Sequence, residues 1–260
     1  MKHISQQEQE KIAEVVRSAG LKILTLWKKD DTSGVHLKVE AKADGSNVTN
    51  ADIASNETII AGLQAIFPSD RILSEEITPE ADIDSAERVW VIDPLDGTQS
   101  FIEGRDDFSV LLALTVNKCA VFSICYFPAR DIFCTALKGG ATSENNQRIA
   151  CSSFDTPRPE KVYVRDCEVA DPTVKFPKHV DSGLAFLMIA RGELDGAVIR
   201  IKRLKQWDLA ALAALIIGAG GKVSDESGSD ILYSAHSFHH RYFVASNGHC
   251  HERLLQQIVE

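Results

Sequence analysis

The chain predicts an α/β protein, an α+β sandwich of alternating helix and sheet layers, on three observations. An apolar stripe at helical spacing opens it, a run of strand formers broken by two short turns fills its middle, and strand-like and helix-like segments alternate in its second half.

Ser5 and Glu8 have the spacing of a capping box, and Ile12, Val16, Ala19, Ile23 and Leu26 or Trp27 continue a first amphipathic helix. Asp30 to Gly34 ends it. Val35 to Ala41 alternates as a strand or hairpin arm, and Lys42 to Asn50 reads as a polar, Gly-containing loop in which Asp44 is a loop residue. Thr49 and Asp52 then stand at N-cap and N3 of a second helix, with Ile53, Ile60, Leu63 and Phe67 as its buried stripe. In that first turn the helix dipole favours an ionised Asp52.

Ile72-Leu73 and Val89 to Ile92 read as strands, the second ended by Asp93-Pro94 because Pro lacks a donor N–H. Residues 107–137 predict a three-stranded meander with turns at Asn117-Lys118 and Pro128-Ala129-Arg130. Polar residues 138–147 suggest a boundary between a half at 1–140, carrying most metal ligands, and a half at 141–260, carrying Asp208 and the substrate-side residues. That second half reads as strand Val162–Val164, helix Leu184–Arg191, strand Ala197–Ile201, a helix from Trp207, strand Tyr242–Ala245 and helix Glu252–Ile258.

The net charge of −9 argues against general nucleic-acid or membrane-surface binding. The first residues lack an apolar signal core and no segment has the length of a membrane span, so a soluble cytoplasmic protein is expected. Six cysteines show no C-x-x-C pair, and His239-His240 with His249 and His251 read as a terminal loop and helix start rather than a metal site.

Chemistry concentrates in Trp90-Val91-Ile92-Asp93-Pro94-Leu95-Asp96-Gly97-Thr98, where a strand delivers two acids and a hydroxyl to a Gly turn. Asp93 and Asp96 can turn their oxygens to one point, and the Leu95 carbonyl between them is a third hard ligand. Gly97 permits close backbone approach, and a helix starting at Thr98 would offer N–H groups to a phosphate. Alone, the segment also reads as an ordinary Asp-Gly turn with Asp93 as a cap. Ser74-Glu75-Glu76 leaves another strand end, and Trp207-Asp208 opens the apolar run to Gly218. Glu75, Asp93, Asp96 and Asp208 together make an oxygen-only set that suits Mg²⁺ or Mn²⁺ and not zinc.

Four motifs in order carry a resemblance: Asp44-Gly45-Ser46-Asn47-Val48-Thr49-Asn50-Ala51-Asp52, Ser74-Glu75-Glu76, Asp93 to Thr98, and Trp207-Asp208 followed by Gly220-Gly221. With them the chain resembles the inositol monophosphatase superfamily of lithium-sensitive, Mg²⁺-dependent phosphatases over nearly its whole length. The resemblance implies two or three Mg²⁺ ions, with Mn²⁺ as a substitute. One ion would lie on Glu75, Asp93 and the Leu95 carbonyl, another between Asp93, Asp96 and Asp208. It also implies that Glu75 positions the attacking water, that Thr98 hydrogen-bonds it, and that Asp52 accepts the Thr98 proton, with no phospho-enzyme. Glu76 is either a further ligand or a solvated acid.

The spelling D-P-L-D-G-T, Gly104-Arg105-Asp106-Asp107-Phe108 and the loop Lys42 to Asp52 look most like the 3′(2′),5′-bisphosphate nucleotidases that clear adenosine 3′,5′-bisphosphate during sulfur assimilation. A second phosphate needs a cation away from the metals, and Arg200 matches a basic position of those enzymes, followed by Lys202, Arg203 and Lys205. Gly97, Thr98, Ser182, Gly183, Arg200 and Asp208 are the substrate-side candidates. One departure stands against the assignment: Asp181-Ser182-Gly183-Leu184-Ala185 replaces a G-S-S-x-K-like segment and has no Lys. Inositol monophosphatase or another small sugar-phosphate activity is the alternative. A catalytically idle regulatory or RNA-binding member is a second, opposed by the intact Asp52, Glu75, Asp93, Asp96, Thr98 and Asp208. A homodimer is the family's expectation.

Overall fold

The computed structural model describes residues 4–27, 37–42, 45–77, 82–202, 204–233 and 238–259. The Asp30–Gly34 helix end, Asp44 and Arg203 lie outside the described residues. Helix α1 (Gln6–Leu26) begins with the expected capping box: Ser5 N–H donates to the Glu8 carboxylate at 2.7 Å, and Glu8 N–H donates to the Ser5 hydroxyl at 3.2 Å. Strand β1 (Val39–Ala41) pairs antiparallel with β2 (Asn47–Thr49), so the stretch expected to be all loop contains a strand. Gly45, at φ +83°, supplies the left-handed residue at this reversal.

Helix α2 (Asn50–Ile66) starts at Thr49 as the spacing predicts. Its buried stripe differs from the expected one. Ile53 is exposed, while Asp52, Ser55, Asn56, Ile59 and Leu63 face inward. Polar residues are tolerated there because this end of the helix faces a polar centre that bonds them: Ser55 Oγ donates to Pro94 O at 2.7 Å, and Ser74 Oγ to Asn56 Oδ1 at 2.6 Å.

The remaining elements are β3 (Arg71–Ser74), β4 (Arg88–Asp96), α3 (Thr98–Ile102), β5 (Ser109–Val116), β6 (Cys119–Phe127), β7 (Ile132–Leu137), β8 (Ser143–Glu144), β9 (Gln147–Arg148), β10 (Val162–Arg165), α4 (Ser182–Ala190), β11 (Gly196–Arg200), α5 (Gln206–Gly218), β12 (Lys222–Ser224), β13 (Tyr242–Ser246) and α6 (His251–Leu255). The first large sheet runs β3-β4-β5-β6-β7-β8-β9, with β3 parallel to β4 and the other pairs antiparallel. The meander is present, and its Asn117-Lys118 turn has φ of 49° and 66°, as a two-residue hairpin requires. The second sheet runs β10-β11-β13-β12.

Strand alternation sorts the core into layers. Trp90, Ile92, Leu112 and Leu114 pack with Ile12, Ile59 and Leu63 of α1 and α2. Val91, Leu111 and Ala113, one residue out of phase, pack with α4 and α5 and, beyond them, with Ala197, Ile199 and Phe243 of the second sheet. On that sheet's far face, Val162, Val198 and Val244 meet Leu254 of α6. The order is helices, sheet, helices, sheet, helix. This explains why Leu209 to Ile216 of α5 is buried throughout and has no polar face; each such Leu or Ile contributes about 1.5–3 kcal/mol. The first sheet continues past residue 140 to Arg148, and the core between the sheets draws on both sides of that point. No described helix is long and apolar enough to cross a membrane.

Candidate active site

The site forms where β4 breaks its own pleat. Asp93 pairs with Leu111, but the next partner pair is Asp96 with Ser109, so the register shifts across Pro94 and Leu95. Pro94 does not end the strand as expected. A residue without a donor N–H is tolerated at such an irregularity, because no ladder bond is lost there. The bulge is held by Ser55 on the Pro94 carbonyl and by Leu95 N–H on Asp93 Oδ1 at 3.1 Å. Ser109 Oγ donates to Asp96 Oδ2 at 3.1 Å. Gly97 follows at φ +80°, and the five-residue α3 starts at Thr98.

Asp208 reaches the same place from the first turn of α5, its Oδ2 accepting the Lys205 N–H at 2.5 Å. Carboxylate oxygens of Asp93, Asp96 and Asp208 all lie within 4.8 Å of one another. Asp93 is 1 % and Asp96 5 % exposed. Burial, then the Glu75 and Asp96 charges, pushes the Asp93 carboxyl well above the usual range. Burial and Asp181 do the same to Asp96, and Asp208 is pushed up to about 7, chiefly by burial. Three crowded, desolvated carboxylates can ionise together only beside a cation, and an all-oxygen set fits a hard divalent ion.

Glu75 lies in the turn after β3, its N–H on Ile92 O at 3.2 Å. Lys42 Nζ donates to Glu75 Oε1 at 2.6 Å and to Glu76 Oε1 at 2.7 Å. The Glu76 side chain is 6 % exposed, so it is not a solvated acid. Burial pulls the Lys42 pKa down, but the hydrogen bonds it donates to both glutamates outweigh this and hold it above its ordinary value. Sequence reasoning missed Lys42, because only the β1–β2 hairpin carries it to residues 33 and 34 positions away.

Asp52 Oδ2 accepts the Thr49 N–H at 2.8 Å and the Thr49 hydroxyl at 2.6 Å. The Thr98 hydroxyl lies 3.1 Å from Asp52 Oδ1 and 3.0 Å from Leu95 O. Burial outweighs the Thr49 bonds and raises Asp52 to about 6, above its ordinary value yet low enough for a carboxylate near pH 7.

On the substrate side, Ser182 and Gly183 open α4 against Asp96. A Cβ on Gly183 would lie 2.6 Å from Asp96 Oδ2. Asp181 caps α4 through Gly183 N–H at 3.3 Å, and its carboxyl carbon would lie 3.2 Å from a Cβ on Gly97. Its own N–H donates to Asp107 Oδ2 at 2.8 Å. The structure thus brings together Asp52, Glu75, Asp93, Leu95, Asp96, Gly97, Thr98, Ser182, Gly183 and Asp208. It does not bring Arg200 with them. Arg200 ends β11 exposed, on the sheet face of Val164 and Tyr242, whereas the carboxylates lie beyond the other face. The basic residue on the near face is Arg165, the last residue of β10, whose Nη1 donates to Ser182 Oγ at 3.0 Å. The strand expected at Val162–Val164 stopped one residue short of it; its alternation with Tyr163 was the available signal.

An oxygen-donor carboxylate centre between a sheet tip and a buried helix is suited to metal-dependent chemistry on phosphate. The inositol monophosphatase family profile matches residues 5–260, and the chain belongs to that family. It is a phosphatase, a phosphoric monoester hydrolase, and enzymes of this family are metal-dependent. The chain is similar to the 3′(2′),5′-bisphosphate nucleotidase CysQ of Escherichia coli (strain K12), 30% identical over 234 residues, 86% of this chain and 93% of that protein. It is also similar to the histidinol-phosphatase of Chlorobaculum parvum, 30% identical over 230 residues, 82% of this chain and 87% of that protein. Among solved structures, the Thermotoga maritima IMPase superposes with a TM-score of 0.77 at 25% identity, covering 96% of each chain.

Proposed function

We propose that the protein is a Mg²⁺-dependent phosphomonoesterase that hydrolyses adenosine 3′,5′-bisphosphate to AMP and phosphate. The observation that carries the chemistry is the convergence of Asp93, Asp96 and Asp208 within 4.8 Å. The observation that supports the substrate is 30% identity, over 86% of the chain, to a bisphosphate nucleotidase. Glu75, Asp93 and the Leu95 carbonyl would hold one ion, and Asp93, Asp96 and Asp208 another, with Mn²⁺ as a substitute and two or three ions in all. When bound, the ions acidify water and neutralise charge on the phosphoryl and leaving oxygens.

The chain's own residues hold protons and positions around that chemistry. Thr98 has one hydroxyl proton and two acceptors in reach, Leu95 O and Asp52 Oδ1. The carboxylate is the stronger acceptor and is fixed by two bonds from Thr49, so Thr98 donates to Asp52 and keeps its lone pairs for the attacking water. Glu75 orients that water from the C-terminal end of the neighbouring parallel strand β3. The reading carries with it lithium inhibition, a homodimer, a cytoplasmic place and a role in sulfur assimilation. With a net charge of −9, a small phosphate ester is the partner rather than nucleic acid.

A second reading, inositol 1-phosphate or another small sugar phosphate, is favoured by one observation: Asp181 to Ala185 has no Lys. Both are tested by Mg²⁺-dependent phosphate release from adenosine 3′,5′-bisphosphate and inositol 1-phosphate in parallel, with Asp96→Asn as the control. A large kcat/KM preference for the bisphosphate is expected. Preference for inositol 1-phosphate overturns the nucleotidase in favour of the second reading, and release from neither removes both substrates.

A further inference from the structure

Among the described cations, Lys42, Arg105 and Arg200 are each accounted for. Lys42 is held by Glu75 and Glu76 at 2.6 and 2.7 Å. Arg105 is engaged by Ser100, by His179 at 3.2 Å, and by Glu103 and Asp107 at 3.5 and 3.4 Å. Arg200 projects from the other sheet face. Arg165 differs from all of these. It shares the face of Tyr163 and Ile199, which is turned toward α4 and α5. Its charge reaches Asp96, Asp181 and Asp208.

Yet among the described residues its carboxylate contact within 4.0 Å is the exposed Asp166 alone, at 3.8 Å. Contacts of that length and exposure hold little. Ser182 Oγ at 3.0 Å takes one of the five guanidinium donors. The side chain is 36% exposed, open enough to be reached from solvent. Asp181, the half-buried N-cap of α4, is committed to the helix end: its Oδ1 takes the Gly183 N–H at 3.3 Å and the Ser182 hydroxyl at 3.4 Å.

We propose that Arg165 is the specificity-determining residue of the leaving-group side, a guanidinium that receives a second anionic group, a phosphate, carried by the alcohol part of the ester. A planar fork with donors to spare binds a phosphate in two-point fashion, which the missing Lys near Ala185 would not have done. This rests on the bisphosphate reading and names the residue that enforces it.

The test compares adenosine 3′,5′-bisphosphate with adenosine 3′-monophosphate, which share the scissile phosphate and differ in the remote one. The wild-type kcat/KM ratio between them is expected to exceed about tenfold, and Arg165→Met to lower that ratio at least about tenfold, with Arg165→Lys between the two. An equal loss on both substrates, or no change in the ratio, overturns the proposal. A second measurement is independent of turnover: calorimetric titration of AMP into protein holding Mg²⁺ and excess inorganic phosphate, so that the hydrolytic position is taken by the other product. Affinity at least about tenfold weaker in Arg165→Met supports the assignment even if neither nucleotide is hydrolysed, an outcome that would remove the proposed substrate but not the anion site. Equal affinity in both proteins, or no AMP binding by the wild type, overturns it.

Discussion

Gly183 marks the tightest contact of the site, where the first turn of α4 meets β4. A Cβ there would stand 2.6 Å from Asp96 Oδ2 and 2.9 Å from Ser109 Oγ, and neither can retreat, because both are buried and bonded to each other. Gly183→Ala is therefore expected to displace Asp96 and cost roughly 10²-fold in kcat/KM, the scale of a misplaced catalytic group. Steady-state kinetics alongside a thermal melt checks this: unchanged kcat/KM in a folded variant would mean that α4 yields freely. Asp93, Asp96 and Thr98 were legible because they are near neighbours in sequence, and Asp208 because it opens an apolar run. Lys42, Asp181 and Arg165 were not, since their roles depend on which hairpin or sheet face delivers them. The placement of Arg200 and Arg165 shows the physics: the two strands lie side by side in one sheet, and alternation sends these residues to opposite faces.

At the scale of elements, the two capping boxes, the meander and the buried α5 follow from local spacing, because caps and periodicity act within a few residues. β2 and β12 escaped, being three residues long with pairing set by distant partners. The bulge at Pro94 escaped because its partner Ser109 decides where the ladder resumes. Helix α6 carries a device that local spacing also hid. His251 is 1 % exposed and lies between Ser224 Oγ at 2.8 Å and Ser246 Oγ at 2.9 Å, tying the helix to β12 and β13. Burial, with Lys222 adding to it, lowers its pKa to about 4. The folded state thus resists a proton that the unfolded chain accepts near pH 6.5. Stability from this group is complete above that pH and is lost as pH falls toward 4. Between pH 7.5 and 5 the wild type should lose about 1–2 kcal/mol more than His251→Gln, as read from urea melts at both pH values. Parallel losses in the two proteins would assign the acid sensitivity elsewhere.

Across the whole molecule, the site joins layers that also meet through apolar packing and through the Arg191–Glu144 ion pair between α4 and β8. Asp93 and Asp96 belong to the first sheet, Asp208 to the helix layer between the sheets, and the chain already carries a net charge of −9. Without a cation the carboxylates repel one another across that interface. Asp208, pushed up to about 7 by burial, illustrates the sign: its folded pKa lies above the ordinary 3.8, so its contribution is intact below pH 4 and is lost as pH rises toward 7. Asp208→Asn removes that loss, and in EDTA at pH 8 it should melt above the wild type. Mg²⁺ reverses the order. An ion bound at about 100 times its Kd contributes about 2.7 kcal/mol, which at roughly 2–4 °C per kcal/mol raises the wild-type Tm by about 5–10 °C. Asp208→Asn should keep only a small part of this rise. Scanning calorimetry of both proteins in EDTA and in Mg²⁺, with KCl matching the ionic strength, separates ligation from general screening. An equal Mg²⁺-induced rise in the two proteins would mean that the ion acts on surface charge, and that the three carboxylates do not form its site.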